Sequence, residues 1–292
     1  MDTEKFKILL KVIETGNFTK TAQEMNMTQS AVSHAISSLE NQFGLSLISR
    51  GKRKSELNPS LKELIEPITK LIRAEEQVLQ MVSEIGGATR GILRIGCFTS
   101  ISVQWMPDIL KQFTEKYPYI QIKLVDGDYE QIERLIMQGE IDCGFLVLPS
   151  YKTIESFPIS KDKLVVVLPK GHPLAYKKKL SIFELTKEPF IVPGEGLHYT
   201  LGELLRQHKV MMNEKYYVKD DYVTVSFIKK GLGFSIMPEL IIKDFYDQVA
   251  VCELKEETFR TIEMGYKDKK TCSLICQKFI EFIDESKTSS VK

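Results

Sequence analysis

Histidine and cysteine are scarce in this 292-residue sequence, and neither forms a cluster. The histidines are dispersed and offer neither a catalytic triad nor a set of metal ligands: His34, His172, His198 and His208. The five cysteines are odd in number and scattered, which fits free thiols in a reducing compartment better than a disulfide framework. The sequence also lacks a Gly-x-Ser-x-Gly motif and a phosphate-binding loop. We therefore expect no enzyme, no cofactor and no bound metal.

Two of the cysteines, Cys272 and Cys276, lie one helical turn apart. Buried cysteines commonly serve as small apolar side chains, so this spacing favours packing within a helix. A metal or redox role, including that of a thiol sensor, is the alternative.

Long apolar runs and a strong net charge are also missing. No apolar run approaches the length of a membrane span, and the first residues, MDTEKFKILLKVIE, are charged and amphipathic, unlike a signal peptide. The net charge of +1 favours no class of partner for the chain as a whole. A content of 43% hydrophobic and 27% charged residues over this length predicts two or three globular domains. We expect a cytoplasmic protein with no membrane partner.

The first sixty residues contain three short helical patterns. Gly16 and Asn17 are suited to end one helix and begin the next, and Thr28 is suited to cap the third. The third pattern, QSAVSHAISSLENQF, repeats its apolar residues every three or four positions and so predicts one buried face. Two helices joined by a short turn, of which the second is longer and polar outside, predict a helix-turn-helix at about Phe18 to Ser37.

The outer face of the third helix carries short hydrogen-bonding side chains and no acidic residue before Glu40. Such side chains suit the major groove, where the N-terminal part of a recognition helix meets base edges. The basic stretch SRGKRKSELNP follows and predicts a hairpin wing that contacts phosphates. A solvated charged loop beside a polar helix is the alternative. We predict DNA contacts from Thr28, Gln29, Ser30, Ser33, His34, Ser37, Arg50, Lys52 and Arg53.

Residues 59–85 form a long helical pattern with a single apolar seam and no neighbour in sequence to cover it. A second copy of the chain is the expected partner, and packing on the chain's own C-terminal domain is the alternative. Pro67 predicts a bend near residue 63, and Glu75 is the one polar residue in the seam. We predict that dimerisation uses Leu61, Leu64, Ile68, Leu71, Val78 and Val82. The segment GGATRG then forms a joint.

From Ile92 onward, strand and helix patterns alternate, which predicts mainly parallel sheets with helices on both faces. The chain is expected to cross between two lobes near residues 159–163 and to return near residues 262–267. The first lobe then comprises about residues 92–161 and 265–290, and the second about residues 162–264.

Two lobes of this type bind a ligand in the cleft between them, at the carboxyl ends of strands. Thr99 and Ser100 follow a strand and open a helix, where free amide groups attract an anion, although both residues could simply cap the helix. Glu195, on a loop of the other lobe, would instead favour an amine or another hydrogen-bond donor, and a solvent-exposed loop glutamate is the alternative. We predict an anionic metabolite as the ligand, with contacts from Phe98, Thr99, Ser100, Val147, Pro193, Gly194, Glu195 and His198.

The stretch GNFTKTAQEMNMTQSAVSHAISSLENQFGLSLISR resembles the N-terminal domain of LysR-type transcriptional regulators. The matching elements are Phe18–Ala22, the Thr28-Gln29-Ser30 opening, Ser33, Leu39-Glu40, Gly44, Leu47 and Arg50. The resemblance implies an all-α winged helix-turn-helix, a long linker helix and an α/β two-lobed effector domain of the periplasmic-binding-protein type. It also implies homodimers and often tetramers. The family often has arginine at the position of His34 and a basic residue at that of Ser37, so weaker or more context-dependent DNA binding is expected.

We accordingly expect a DNA-binding domain at residues 1–58, a linker and dimerisation helix at 59–87, and an effector-binding domain at 88–292. The predicted partners are double-stranded DNA, a small-molecule effector and a second copy of the chain. The two-lobed region also resembles periplasmic receptors, so a solute-binding protein without a DNA role is the alternative function. The helix-turn-helix and the missing export signal argue against it.

Overall fold

The computed structural model describes residues 3–50, 55–85, 90–148, 154–193, 198–269 and 272–289. Its internal contacts divide the chain into two compact units. The first comprises residues 1–89 with the short segment 138–140, and the second comprises residues 90–137 and 141–292.

The first unit consists of helices and one two-stranded hairpin. Its elements are α1 (Thr3–Thr15), α2 (Phe18–Glu24), α3 (Gln29–Phe43), β1 (Ile48–Arg50), β2 (Ser55–Leu57), a 3-10 helix (Pro59–Leu64) and α4 (Ile65–Ile85). The strands β1 and β2 pair antiparallel, with Ile48 opposite Leu57. This hairpin corresponds to the predicted wing, whose tip at residues 51–54 lies outside the described residues.

The ends of α2 and α3 follow from local capping chemistry. Gly16 has a φ of 65°, a conformation that glycine adopts at little cost because it has no Cβ. The Asn17 side chain accepts hydrogen bonds from two amides of the first turn of α2, at 2.8 and 3.0 Å. Thr28 caps α3 through its hydroxyl, and Gly44 ends α3 with a φ of 65°. Gly16, Asn17 and Thr28 therefore act as the sequence predicts.

The first half of α4 packs on its own unit, which corrects the predicted dimerisation seam. Ile68 is buried in the core that α1, α2 and α3 share, and Leu64 and Leu71 pack against that core. Glu75 faces α1 and pairs with Lys7 at 2.9 Å. The exposed apolar side chains lie in the second half of the helix: Val78, Leu79, Met81 and Val82.

The structure shows a change of helix type near the position of the predicted bend. The chain passes from the 3-10 helix to the α-helix between Leu64 and Ile65. Pro67 then lies in the first turn of α4, where an amide has no intrahelical partner and proline is tolerated. The side chain of Leu61, another predicted seam residue, lies outside the described part of the chain.

The second unit contains two α/β lobes. The first lobe contains β3 (Gly91–Cys97), α5 (Thr99–Gln104), α6 (Met106–Lys116), β4 (Ile120–Asp126), α7 (Tyr129–Gln138), β5 (Cys143–Val147) and α11 (Leu274–Ser289). The second contains β7 (Lys179–Leu180), a 3-10 helix (Ile182–Leu185), β8 (Pro189–Pro193), α8 (His198–Gln207), β9 (Asn213–Val218), α9 (Asp221–Lys229), β10 (Ser235–Pro238), α10 (Glu239–Ile242), a 3-10 helix (Lys243–Phe245) and β11 (Ala250–Leu254).

Two long strands, β6 (Glu155–Leu168) and β12 (Phe259–Tyr266), run through both lobes. They pair antiparallel with a register shift between Ile262 and Glu263. β3 pairs in parallel with β4 and β5, whereas β5 and β12 are antiparallel. The sheets are therefore mixed rather than mainly parallel, and β7, β11 and β12 are strands that the sequence patterns did not predict.

The last helix completes the first lobe. In its core, the ring of Phe279 meets that of Phe113 edge-on, with ring centres 5.1 Å apart. Among the described residues, no helix combines the length and the apolar content that crossing a bilayer requires.

Glu40 connects α3 to the wing. Its Oε1 atom accepts hydrogen bonds from the backbone amides of Leu47 at 2.8 Å and Ile48 at 3.3 Å. Both of these apolar side chains are buried, so the carboxylate fixes the strand that follows α3.

We predict that Glu40→Ala lowers the free energy of unfolding of the first unit by about 2 kcal/mol, because hydrogen bonds to a charged group contribute about 1.5–3 kcal/mol. Glu40→Gln keeps an acceptor oxygen and should lose less. Urea denaturation of the full chain, followed by circular dichroism, measures both changes. Equal losses in the two variants would show that the acceptor oxygen does not matter.

Candidate nucleic-acid interface and ligand cleft

The outer face of α3 carries a row of polar side chains, at Gln29, Ser33, His34 and Ser37. Gln29 and His34 are exposed, and both serines are half-buried. Within the described residues, none of these four side chains has a hydrogen-bond partner in the protein. Their donors and acceptors remain available to an external partner such as the edges of base pairs.

Of the other predicted DNA contacts, some have hydrogen-bond partners within the protein and some lie outside the described residues. The Thr28 hydroxyl accepts a hydrogen bond from the Ala31 amide at 3.2 Å and lies 3.0 Å from the Ser30 hydroxyl. Thr28 therefore has a structural role as a helix cap. Lys52, Arg53 and the side chain of Arg50 lie outside the described residues, so their phosphate contacts stay a prediction.

A cavity of about 510 Å³ lies in the second unit, within the size range of small-molecule sites. Most of its lining follows the carboxyl ends of β3, β4 and β9, the position at which α/β folds bind ligands. The first lobe contributes Phe98, Thr99, Ser100, Asp126, Gly127, Asp128, Tyr129 and Gln131. The second lobe contributes Lys219, Asp220, Asp221 and Ile241, and β12 contributes Arg260.

Arg260 is the central buried cation of this cavity, with an exposed fraction of 1%. Its Nε and Nη2 atoms donate to Oδ2 of Asp162 at 2.8 and 2.6 Å. Nη1 donates to the Tyr129 hydroxyl at 2.5 Å, and Nη2 also donates to the Ser100 hydroxyl at 2.8 Å. The guanidinium lies 5.0 Å from the centre of the Phe98 ring. Its charge is thus balanced and hydrogen-bonded, as a buried ion requires.

The same network joins the two lobes. Oδ1 of Asp162 accepts a hydrogen bond from the Leu240 amide at 3.1 Å, at the start of the second-lobe helix α10. Ser100 and Tyr129 belong to the first lobe. Burial raises the pKa of Tyr129, so its hydroxyl stays protonated at neutral pH while it accepts from Arg260.

Four aspartates line the cavity, and their environments differ. Asp128 pairs with Lys219 across the two lobes at 3.4 Å. Asp220 caps α9 by accepting a hydrogen bond from the Val223 amide at 2.9 Å. Burial raises the pKa of Asp221 to about 6, although the charge of Arg260 opposes this shift.

The structure brings together only part of the predicted effector site. Phe98, Thr99 and Ser100 line the cavity. The capping alternative is wrong, since the N-cap residue of α5 is Phe98 and its side chain makes no capping bond. Ser100 instead hydrogen-bonds to Arg260.

The remaining predicted effector residues contribute nothing to the described lining. Val147 is buried in the core of the first lobe, because it continues the apolar strand β5. Pro193 is buried at the end of β8. Gly194, Glu195 and the side chain of His198 lie outside the described residues. Val147 and Pro193 therefore lie in the lobe interiors and not in the cavity lining, which corrects the prediction for these two residues.

The sequence contained signals for the residues that were missed. The segments Asp126-Gly127-Asp128 and Lys219-Asp220-Asp221 each follow a strand pattern directly, so both could have been assigned to a strand-end site. Arg260 alternates with Ile262 and Met264, all of which are buried. A lone arginine within an apolar alternation indicates a buried, paired cation.

The cysteines show the features of packed thiols. Burial raises the pKa of Cys97 to about 12, and sulfur hydrogen bonds together with burial raise the pKa of Cys272 and Cys276. Such thiols hold little thiolate at neutral pH, which favours packing over the redox alternative. The described residues contain no group of three or more side chains arranged to hold a metal ion.

A winged helix-turn-helix and a two-lobed unit with a ligand-sized cavity are the two parts of a ligand-responsive DNA-binding regulator. Two family models match the chain accordingly. Residues 3–60 match the bacterial regulatory helix-turn-helix of the lysR family, and residues 86–287 match the LysR substrate binding domain. The chain therefore belongs to the LysR family of transcriptional regulators.

Two of three similar proteins match the chain over nearly its whole length, and the third matches its effector-binding part. The chain is 31% identical over 288 residues to the uncharacterized HTH-type transcriptional regulator YvbU of Bacillus subtilis, covering 98% of both chains. It has a TM-score of 0.73 and 18% identity to CbnR complexed with its target DNA, covering 98% of this chain and 100% of CbnR. The effector binding domain of QuiR in complex with shikimate gives a TM-score of 0.64 at 21% identity, covering 69% of this chain and 99% of that domain.

These findings confirm the predicted family and fold class. They also confirm the predicted function of a LysR-type DNA-binding regulator with an effector-binding domain. The relatives are named as regulators of transcription rather than as enzymes.

We predict that Asp221→Asn raises the free energy of unfolding of the second unit above pH 7. A raised pKa means that stability present at low pH is lost as the pH rises through about 6. Asparagine does not ionise and escapes this loss, which is at most about 3 kcal/mol for a shift of this size. Urea denaturation between pH 4 and pH 8 measures the difference, which should shrink towards pH 4. A gain independent of pH would contradict this electrostatic explanation.

Proposed function

We propose that the chain binds double-stranded DNA as a homodimer, with α3 in the major groove and the wing on the phosphate backbone. Its affinity for DNA, or the bend that it imposes, then responds to a small molecule in the cavity. The row of unpartnered polar side chains on α3 is the observation that carries this proposal. A solute receptor without a DNA role would have no use for such a row beside a wing.

The DNA contacts are proposed from side-chain chemistry. Gln29 can bind adenine through two hydrogen bonds, and Ser33 can donate to or accept from a base. His34 is suited to donate to guanine or to a phosphate. Arg50, Lys52 and Arg53 would release counterions from the backbone and so supply affinity that does not depend on sequence.

The dimer is proposed from the exposed apolar row in the second half of α4. Val78, Leu79, Met81 and Val82 have exposed fractions of 59–62%, and a contiguous apolar patch of this kind marks an interaction surface. A second α4 offers the same surface and covers it with closed two-fold symmetry. We further propose that two dimers can pair into a tetramer.

The effector is proposed to bind in the cavity between the lobes. A ligand that contacts both lobes favours the arrangement to which it binds more tightly, and that preference alone shifts the population. A coupling free energy of about 1–3 kcal/mol is typical between two such sites and is sufficient to alter DNA occupancy. The ligand is bound and released without a chemical reaction. The protein acts in the cytoplasm, where the DNA is.

We predict that Gln29→Ala weakens binding to a preferred duplex by about 1–3 kcal/mol more than binding to a scrambled duplex, because Gln29 reads a base edge. Gln42→Ala, near the other end of α3, removes an exposed glutamine of the same size and should leave both affinities unchanged. Preferred duplexes are obtained by selection from a random pool, and fluorescence anisotropy measures the affinities. Equal losses on both duplexes would count against base reading.

We predict that Val78→Asp combined with Val82→Asp converts the dimer to monomers, because charges in an apolar interface remain desolvated without partners. Gln77→Asp places a charge at an exposed polar position of the same helix and should leave the dimer intact. Sedimentation velocity measures the oligomeric state, and circular dichroism verifies that the helices persist. A dimer that survives the double substitution would locate the interface elsewhere.

A further inference from the structure

The described lining of the cavity between the lobes has an excess of negative charge. Its described lining contains four aspartates but only two basic residues, Lys219 and Arg260. Arg260 is already neutralised by Asp162, which lies behind the lining at 2.6 Å. Lys219 is paired with Asp128 at 3.4 Å. The carboxylates of Asp126, Asp220 and Asp221 therefore form no ion pair with a described residue, although the charge of Arg260 acts on Asp221 from a longer distance.

These three carboxylates differ in the number of hydrogen bonds that they accept. Asp126 accepts one hydrogen bond, from the Ser102 hydroxyl at 2.8 Å, and Asp220 accepts one from the Val223 amide. Asp221 makes neither a hydrogen bond nor an ion pair within the described part of the chain. It is only partly exposed and lines the cavity, so it gains most from a ligand that donates hydrogen bonds and brings positive charge.

Lys219 shows which chemical group the cavity attracts. Its side chain is 70% exposed, yet its ammonium group reaches across the cleft to Asp128. An ammonium group with three donors suits several carboxylate oxygens at once. A ligand amine in the cavity would meet the same chemistry at Asp221, which is less exposed than Lys219, whereas Asp126 and Asp220 are exposed to solvent.

We propose that the effector is an organic cation that carries at least one protonated primary amine, bound by Asp126, Asp220 and Asp221. This inference rests on the proposed function, in which the cavity holds the effector, and it reverses the anionic ligand predicted from Thr99 and Ser100. Ser100 is occupied by Arg260, whose charge is balanced by Asp162. A carboxylate ligand would therefore face more negative than positive charge.

Isothermal titration calorimetry of the full chain at pH 7.5 and low salt tests the inference. The probes are 1,4-diaminobutane and agmatine, with 1,4-butanediol and succinate as uncharged and anionic counterparts of similar length. We expect saturable binding of at least one amine, at least tenfold tighter than either counterpart, and weaker binding as salt is added. No binding by either amine, or tighter binding by succinate, would overturn the inference.

Matched variants locate the binding. Asp221→Asn and Asp126→Asn each remove one lining carboxylate and should weaken amine binding at least tenfold. Asp247→Asn removes an exposed carboxylate outside the described lining and should leave it unchanged. Equal weakening in all three variants would mean adsorption to an acidic surface and would overturn the inference. Binding of Mg²⁺ alone at the same carboxylates, with no binding of the amines, would also overturn it.

A second readout separates this inference from the proposed function. Anisotropy of a bound duplex is measured with and without saturating amine. An amine that binds through Asp221 without any effect on the DNA complex supports the ligand class and contradicts the effector role of the cavity. If succinate alone bound through the lining residues and altered the DNA complex, the result would support the proposed function and contradict the proposed ligand class.

Discussion

The first unit depends on the burial of one face of α3. Val32, Ala35, Ile36 and Leu39 are buried against α1 and α2, and each fully buried aliphatic side chain larger than alanine contributes about 1.5–3 kcal/mol. This burial fixes the rotation of the helix about its axis, so the opposite polar face must point outward. The caps at Thr28 and Gly44 fix where the helix begins and ends. Glu40 then fixes the wing relative to it.

The second unit has a comparable constraint at Arg260 and Asp162. Each ion would be costly to bury alone, and their pairing requires the first-lobe residues Ser100 and Tyr129 and the second-lobe helix α10 to meet at one point. The cavity forms beside this point, where three strand ends face each other across the lobes. The chemistry of a ligand in it is then decided by the aspartates that the network does not neutralise.

Local sequence was sufficient to predict the helix-turn-helix, because its boundaries follow from caps and its rotation from apolar periodicity. The same periodicity gave a wrong prediction of what covers the first half of α4. Ile68 and Leu71 match an uncovered seam in sequence, but α1 covers them through contacts that are distant along the chain, and Glu75 is tolerated because it meets Lys7. Helical spacing indicates which residues share a face and does not indicate what covers that face.

The cavity was only partly predictable for a similar reason. Thr99 and Ser100 could be placed at a strand end from local pattern alone. Arg260 lies 160 residues from Ser100, and its role depends on the pairing of β6 with β12, two strands whose register a single sequence does not specify. Val147 was misassigned because a residue at a strand end can point either to the core or to the cleft, and alternation does not settle which.

Hydrogen–deuterium exchange of the full chain, with and without duplex DNA at low ionic strength, tests the central claim that the polar face of α3 binds DNA. Slower exchange in the peptides that contain the N-terminal turns of α3 and the wing, with little change in the rest of the first unit, is the result that the structure predicts. Binding of the duplex without any protection of these peptides would contradict the claim.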